Sequence, residues 1–187
     1  MSRFAIWPAA VLFATVVLAF SVRAADAPNV NTAKSSIVAT FRQSGVAVDS
    51  PFTKFTGRVV YDASNVAASS AAVDVETGSL DIGAEDYNAE IRKKQWFDVA
   101  KYPRATFRST AIKATGPGRF IATGTLTVKG KAQTIAVPIT TKTTPNGTAF
   151  EGSFTISRKA FGLGDPLWEE ILEDRVGVRF TLVKSGR

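Results

Sequence analysis

The chain has 187 residues, a net charge of +7, no histidine, no cysteine and a single methionine, Met1. Without imidazole or thiol it builds no His/Cys zinc site, no haem ligation of the usual kinds, no Ser-His-Asp or Cys-His nucleophile and no disulfide. Carboxylate chemistry and oxygen-bound cations stay open, and the core must be held by burial alone, which a chain of this length can manage.

The N-terminus reads as an export leader. Arg3 is a short basic start, Phe4 to Phe20 is apolar apart from Pro8 and Thr15, and Val22-Arg23-Ala24 offers small or branched residues for a signal peptidase. Cleavage after Ala24 divides the chain into a leader, 1–24, and one domain, 25–187, placed in the periplasm if the source has two membranes. Losing Arg3 and Arg23 lowers the charge by two. The remaining excess fits ordinary solubility and also favours anionic head groups or membrane surfaces.

Beyond the leader, period-two alternation recurs, the mark of half-buried strands. Ile37, Ala39 and Phe41 share one face, then Phe55, Val59 and Tyr61, then Ala71, Val73 and Val75, then Ala105 and Phe107. The second half continues with Phe120, Ala122, Gly124, Leu126 and Val128, then Ile135, Val137 and Ile139. Phe150, Phe154 and Ile156 follow, and last Val176, Val178, Phe180 and Leu182. Turn residues separate these runs at Gly116-Pro117-Gly118, Lys129-Gly130-Lys131 and Pro145-Asn146-Gly147.

Asp86 to Phe97 breaks the alternation. Tyr87 and Ile91, with Gln95, fall on one helical face, and Asp86 is placed to cap it. Arg158 to Asp174 is irregular, with a short helical turn expected around Trp168 to Leu172. The pattern predicts an all-β fold: a closed antiparallel lipocalin-like barrel of about eight strands with one short helix, large enough to hold one small ligand or to be filled by side chains.

Three blocks resemble the YceI-like, polyisoprenoid-binding family. Trp96-Phe97-Asp98-Val99-Ala100-Lys101-Tyr102-Pro103, running on to Thr106-Phe107, is similar to its aromatic pair, Tyr-Pro step and Thr-Phe strand. Gly124-Thr125-Leu126-Thr127-Val128-Lys129-Gly130 resembles its Gly-x-Leu-Thr-x-x-Gly hairpin. Ile156 to Gly164 resembles its Arg-x-x-Phe-Gly-x-Gly segment. The resemblance implies a secreted lipocalin-like barrel that binds a lipid chain: a polyisoprenoid, an isoprenoid quinone or a fatty-acid derivative. Two positions where many members carry His read Lys34 and Lys129 here, so any role resting on imidazole is not carried over. The Trp96 start and the Trp168 that follows Gly162-Leu163-Gly164 resemble a subgroup associated with cytochrome b561-like membrane proteins, which implies a quinone.

The residues carry several readings. Arg158 faces an anionic or carbonyl head group at the barrel mouth, or it pairs with a carboxylate such as Asp98 or Asp174. Trp96 and Trp168 close the barrel ends, line the tunnel or pack on its wall. Glu169, Glu170, Glu173 and Asp174 read as a solvated helical turn, since neither hydrolase nor calcium-loop spacing is present. Arg92, Lys93, Lys94, Lys101, Arg104 and Arg108 bracket Trp96-Phe97 and suit a membrane surface or single-stranded nucleic acid; export argues against the latter.

The expectation is a non-enzymatic binding or carrier protein with no catalytic or metal residue and no cofactor other than a bound isoprenoid lipid or quinone. The ligand-binding residues are Phe41, Phe55, Trp96, Phe107, Phe120, Leu126, Phe150, Phe154, Arg158, Phe161, Trp168 and Phe180. The partners are a long-chain lipid and, transiently, a membrane surface or a cytochrome b561-like protein, with no nucleic acid; a homodimer stays open. The alternative is a packed barrel acting as an interaction module for a membrane redox partner.

Overall fold

The computed structural model describes residues 27–145 and 147–185. The predicted leader, 1–24, lies outside them, as does Asn146 of the third turn. Among the described residues there are nine strands and one α-helix: β1 (Ser36–Gln43), β2 (Val46–Pro51), β3 (Phe55–Val60), β4 (Ser70–Glu76), α1 (Glu85–Ile91), β5 (Arg104–Gly116), β6 (Arg119–Val128), β7 (Lys131–Thr144), β8 (Gly147–Ser157) and β9 (Arg175–Ser185). The strands form one antiparallel sheet in the order β2-β1-β9-β8-β7-β6-β5-β4-β3. The alternating residues face inward as the pattern predicts. On β6, Phe120, Ala122, Leu126 and Val128 are all buried, and Ile37 of β1 lies opposite Phe180 of β9.

β5 keeps its apolar side chains inside only by breaking its own rhythm. Phe107 and Ile112 are an odd number of residues apart, yet both reach the interior. A register shift between Ser109 and Ala111 flips the parity between them. Gly124, opposite Ser109, gives the Phe107 ring its place: a Cβ there would lie 2.6 Å from that ring. Pro138 of β7 is tolerated because its half of β7 pairs with β6 alone; pairing with β8 begins at Ile139.

Two expectations are corrected. The strand count is nine, the addition being β2, which the sequence hides. Its inward positions are Val48 and Ser50, so a polar residue sits where alternation asks for an apolar one. Ser50 is fully buried opposite Ala39. The barrel is also not closed. β2 and β3 are joined by only three residues, 52–54, which span at most roughly 10 Å, yet they form the two edges of the sheet and share no ladder. The result is a curled half-barrel whose edges approach at one corner, where Phe52 bridges Leu80.

Elsewhere the edge of β3 is already occupied. The Asn29 side-chain amide donates to the Val59 carbonyl at 2.9 Å and accepts from the Val59 N–H at 2.8 Å. The Asn29 and Val30 N–H groups donate to the Gly57 carbonyl, and the Asn31 N–H to the Val183 carbonyl. This N-terminal strap takes the backbone groups that a ladder with β2 would need, and it links β3 to β9.

The helix is shorter than predicted, ending at Ile91, with Ala84 rather than Asp86 at its N-cap; Asp86 lies in the first turn. Trp96 to Tyr102 follows as a tight loop in which Asp98 adopts φ 50 and its carbonyl accepts from Lys101 and Tyr102. The helical turn expected near Trp168 is a 3-10 turn at Pro166–Trp168, capped by the Asp165 carboxylate accepting from the Leu167 N–H. On the outer face, Asp49 of β2 accepts from Thr40 of β1 at 2.6 Å and from both Arg179 Nη atoms of β9 at 2.8 and 2.7 Å. The hydrogen bond from Arg179, followed by that from Thr40, lowers the Asp49 carboxyl to about 2.

Candidate ligand-binding cavity

The curled sheet encloses a cavity of about 430 Å³, within the size range of small-molecule sites. Phe120 and Val128 both line it at opposite ends of β6, so it extends roughly 27 Å at about 3.4 Å per residue. At the Phe120 end, Tyr61 packs on Phe120 and Phe150, with ring centroids 5.9 and 5.3 Å away. At the Val128 end, Leu80, Ile91, Trp96, Phe97 and Leu163 converge beneath α1 and the two irregular loops. Two lining residues also face solvent, Val60 near the first end and Tyr87 at the second.

Of the residues nominated from sequence, Phe41, Trp96, Phe107, Phe120, Leu126, Phe150, Phe154, Arg158, Trp168 and Phe180 line the cavity. Phe55 and Phe161 do not. Phe55 packs into the wall beside Val59, and Phe161 is completely buried behind the wall with Leu126 and Val128. Alternation marks the inward face but does not separate a side chain at the free surface of the cavity from one sealed behind it. Phe52, Tyr61 and Phe97 line the cavity and were not nominated. Tyr61 shares the alternating face of Phe55 and Val59, and Phe97 stands in the aromatic pair, so both carried a usable signal.

Arg158 is placed differently from either expectation. It is 2% exposed. Its Nε, Nη1 and Nη2 donate to the carbonyls of Glu173, Leu163 and Leu172 at 3.0, 3.0 and 2.8 Å. Neither Asp98 nor Asp174 forms an ion pair with it; the guanidinium pins together two stretches of the irregular loop. Gly164 makes this fit, since a Cβ there would lie 2.2 Å from Arg158 Nη1 and its φ is +145°. Asp174 instead accepts from Ser157 Oγ and the Lys159 N–H, both at 2.9 Å. Burial alone would raise the Asp174 carboxyl, but these hydrogen bonds and the Arg158 and Lys159 charges bring it below the usual range.

Lys129, which stands where a histidine was looked for, donates to the carbonyls of Gln95 at 3.0 Å and Gly162 at 2.6 Å. Burial pushes its ammonium below the ordinary value, Asp98 opposes this, and Lys131 adds to it. Tyr102 packs over Gly130, where a Cβ would lie 2.7 Å from its ring, and the Gly164 N–H donates to the Gln95 carbonyl. The three sequence blocks therefore meet in one corner and wall one side of the Val128 end of the cavity, leaving the side at Tyr87 and Trp168 open.

Four of the charged groups noted from sequence, Arg92, Lys93, Arg108 and Glu169, are in ion pairs with neighbours. Arg92 pairs with Glu85, Lys93 with Glu90, Arg108 with Asp74 and Lys159 with Glu169. Among the described residues no three acidic side chains come together as a cation site. Among the described residues two buried polar atoms lack partners, Trp96 Nε1 and Ser50 Oγ.

The profile of the YceI-like domain family matches residues 29–184. In fold the chain is similar to the crystal structure of BcnA from Burkholderia cenocepacia, with TM-score 0.79 and 38% identity over 82% of this chain and 98% of that one. It is also similar to a polyisoprenoid-binding domain from Saccharophagus degradans implicated in plant cell wall breakdown, with TM-score 0.69 over 84% of this chain and 97% of that one. At 15% identity, that likeness concerns the fold alone. A UPF0312 protein of Vibrio cholerae is 40% identical over 86 residues, 46% of each chain, and one from Pseudomonas savastanoi is 34% identical over 125 residues, 62% of this chain and 63% of that one. The chain thus spans about half to under two thirds of the curated relatives it matches. The match over 29–184 takes in all nine strands but for the last residue of β9, together with the loop corner built by Lys129, Arg158 and Gly164, and by it the chain belongs to the YceI-like domain family.

Proposed function

We propose that this protein is an exported, periplasmic binding or carrier protein that holds a long apolar lipid, a polyisoprenoid or an isoprenoid quinone, in its interior and performs no covalent chemistry. The observation that carries the proposal is the elongated cavity of about 430 Å³, walled by aromatic and branched aliphatic side chains. Its affinity comes from removing hydrocarbon from water, about 0.8 kcal/mol per buried methylene, less the cost of immobilising the chain. The polyisoprenoid-binding description of the Saccharophagus domain supports the same ligand class. The cavity favours this reading over the alternative of a solidly packed barrel acting as an interaction module for a membrane redox partner. Mass spectrometry of organic extracts from protein purified without detergent tests the proposal. A stoichiometric isoprenoid supports it; an empty protein that also refuses added polyprenol and ubiquinone refutes it. N-terminal sequencing of the exported form should begin at Ala25.

A further inference from the structure

One end of the cavity is ringed by apolar side chains that no other described residue covers. Leu167 is 87% exposed, Val46 65%, Tyr87 50% and Ile171 38%. They come from three segments that the structure ties together. The Ser44 N–H of the β1–β2 turn donates to the Ile171 carbonyl at 2.7 Å, and the Glu173 N–H to the Arg42 carbonyl. Gln43 bridges Leu172. Tyr87 of α1 meets Trp168 edge to face at 6.3 Å. The same segments supply Gln43, Tyr87, Trp168 and Leu172 to the cavity lining, so the ring is the rim of that end. Leu167 is held out rather than frayed: Pro166 precedes it, and the Asp165 carboxylate caps its N–H.

We propose that this rim docks on the surface of an uncharged lipid bilayer, resting on the reading that the cavity carries lipid. Four apolar side chains fall far short of the roughly 20–30 residues a side that a stable protein interface uses. They suit shallow insertion, with Tyr87 and Trp168 at the depth where amphipathic rings settle. A lipid leaving through this rim passes from one apolar phase into another without crossing water. The surrounding charge gives anionic lipid no advantage. Glu85, Glu90 and Glu169 are already paired, and among the described residues around the rim the exposed carboxylates without an ion pair, Asp86, Glu170 and Glu173, outnumber the exposed cations without one, Arg42 and Lys94.

The test uses the full-length mature chain in co-sedimentation with phosphatidylcholine vesicles and with vesicles part-replaced by phosphatidylglycerol. A parallel measurement follows loading of a fluorescent polyprenol from cyclodextrin. Wild type should partition to phosphatidylcholine at least as well as to the anionic vesicles. Leu167→Glu, at an exposed site that leaves the fold intact, should cut partitioning by roughly tenfold or more, the worth of one buried leucine side chain, with cyclodextrin loading unchanged. Binding that needs phosphatidylglycerol, or that ignores Leu167→Glu, overturns the proposal. So does normal loading without vesicle binding, including a case in which the rim proves to bind a protein. Failed cyclodextrin loading in the wild type instead strikes the cavity reading beneath it.

Discussion

Filling the cavity from its wall separates a lipid carrier from a packed barrel. Ala71 of β4 lines the cavity, is only half-buried, and lies opposite Val59, another lining residue. In Ala71→Phe the new ring has free space to enter, so the ligand-free protein should lose less than about 1 kcal/mol, and Tm should fall by no more than about 2–4 °C. If the ring displaces about four methylenes of bound chain, at about 0.8 kcal/mol each, affinity falls by about 3 kcal/mol, more than a hundredfold. Ala122→Phe is the control. Ala122 is 0% exposed and lies outside the cavity lining, so the same ring overpacks the wall and costs on the order of 1–3 kcal/mol. The assay pairs thermal denaturation of delipidated protein with retention of a fluorescent polyprenyl analogue. A folded Ala71→Phe that retains the analogue like wild type would refute the reasoning, as would equal destabilisation by the two substitutions.

Three further outcomes follow from the geometry. Arg158→Ala strips one buried and two part-buried carbonyls of their donor and should cost about 3 kcal/mol, measured by urea denaturation; a loss below about 1 kcal/mol contradicts the pinning role. Asp49 has its folded pKa lowered to about 2, against about 3.9 when unfolded. Its contribution to stability is therefore complete above the unfolded value and disappears as the pH falls through about 2. Asp49→Asn should remove that part of the acid dependence, and denaturation curves of identical pH slope in the two proteins would contradict it. Asn29→Ala removes both side-chain bonds to Val59 and should speed amide exchange at Val59 well beyond that at Phe120; equal protection in variant and wild type would remove the strap from the account.

Eight strands were legible because each places at least two apolar residues in alternation on one face. β2 was not, because it turns Ser50 inward and is otherwise mostly exposed. Closure was misjudged for a related reason. Alternation tells which side of a strand is wet but carries no information about which strands pair, and the residue that takes over the edge of β3, Asn29, lies outside any strand. At the site, the inward phenylalanines could be named from sequence, whereas their division between cavity surface and sealed wall depends on close approaches such as Phe107 over Gly124. The family blocks were visible as motifs, but their work is packing. Lys129, Arg158 and Gly164 hold the loops that wall one side of the Val128 end, and Arg158 spends its donors on carbonyls.

The strand order also sets when this protein can fold. Along the sheet every neighbouring pair is consecutive in sequence except one, β1 with β9, in which Ser36 lies opposite Thr181. The first and last strands must find each other across almost the whole chain, a long loop to close before the interior is shut, and such topologies fold slowly. During synthesis or passage through a narrow pore, β5 to β8 can assemble by short hairpins, with β3 and β4 joining them across the helix-bearing connection. The hollow interior stays open on the β1 side until the final strand emerges. A lipid present at that moment can be enclosed as the sheet curls, so loading during folding and loading of the finished protein are separate kinetic routes to the same complex.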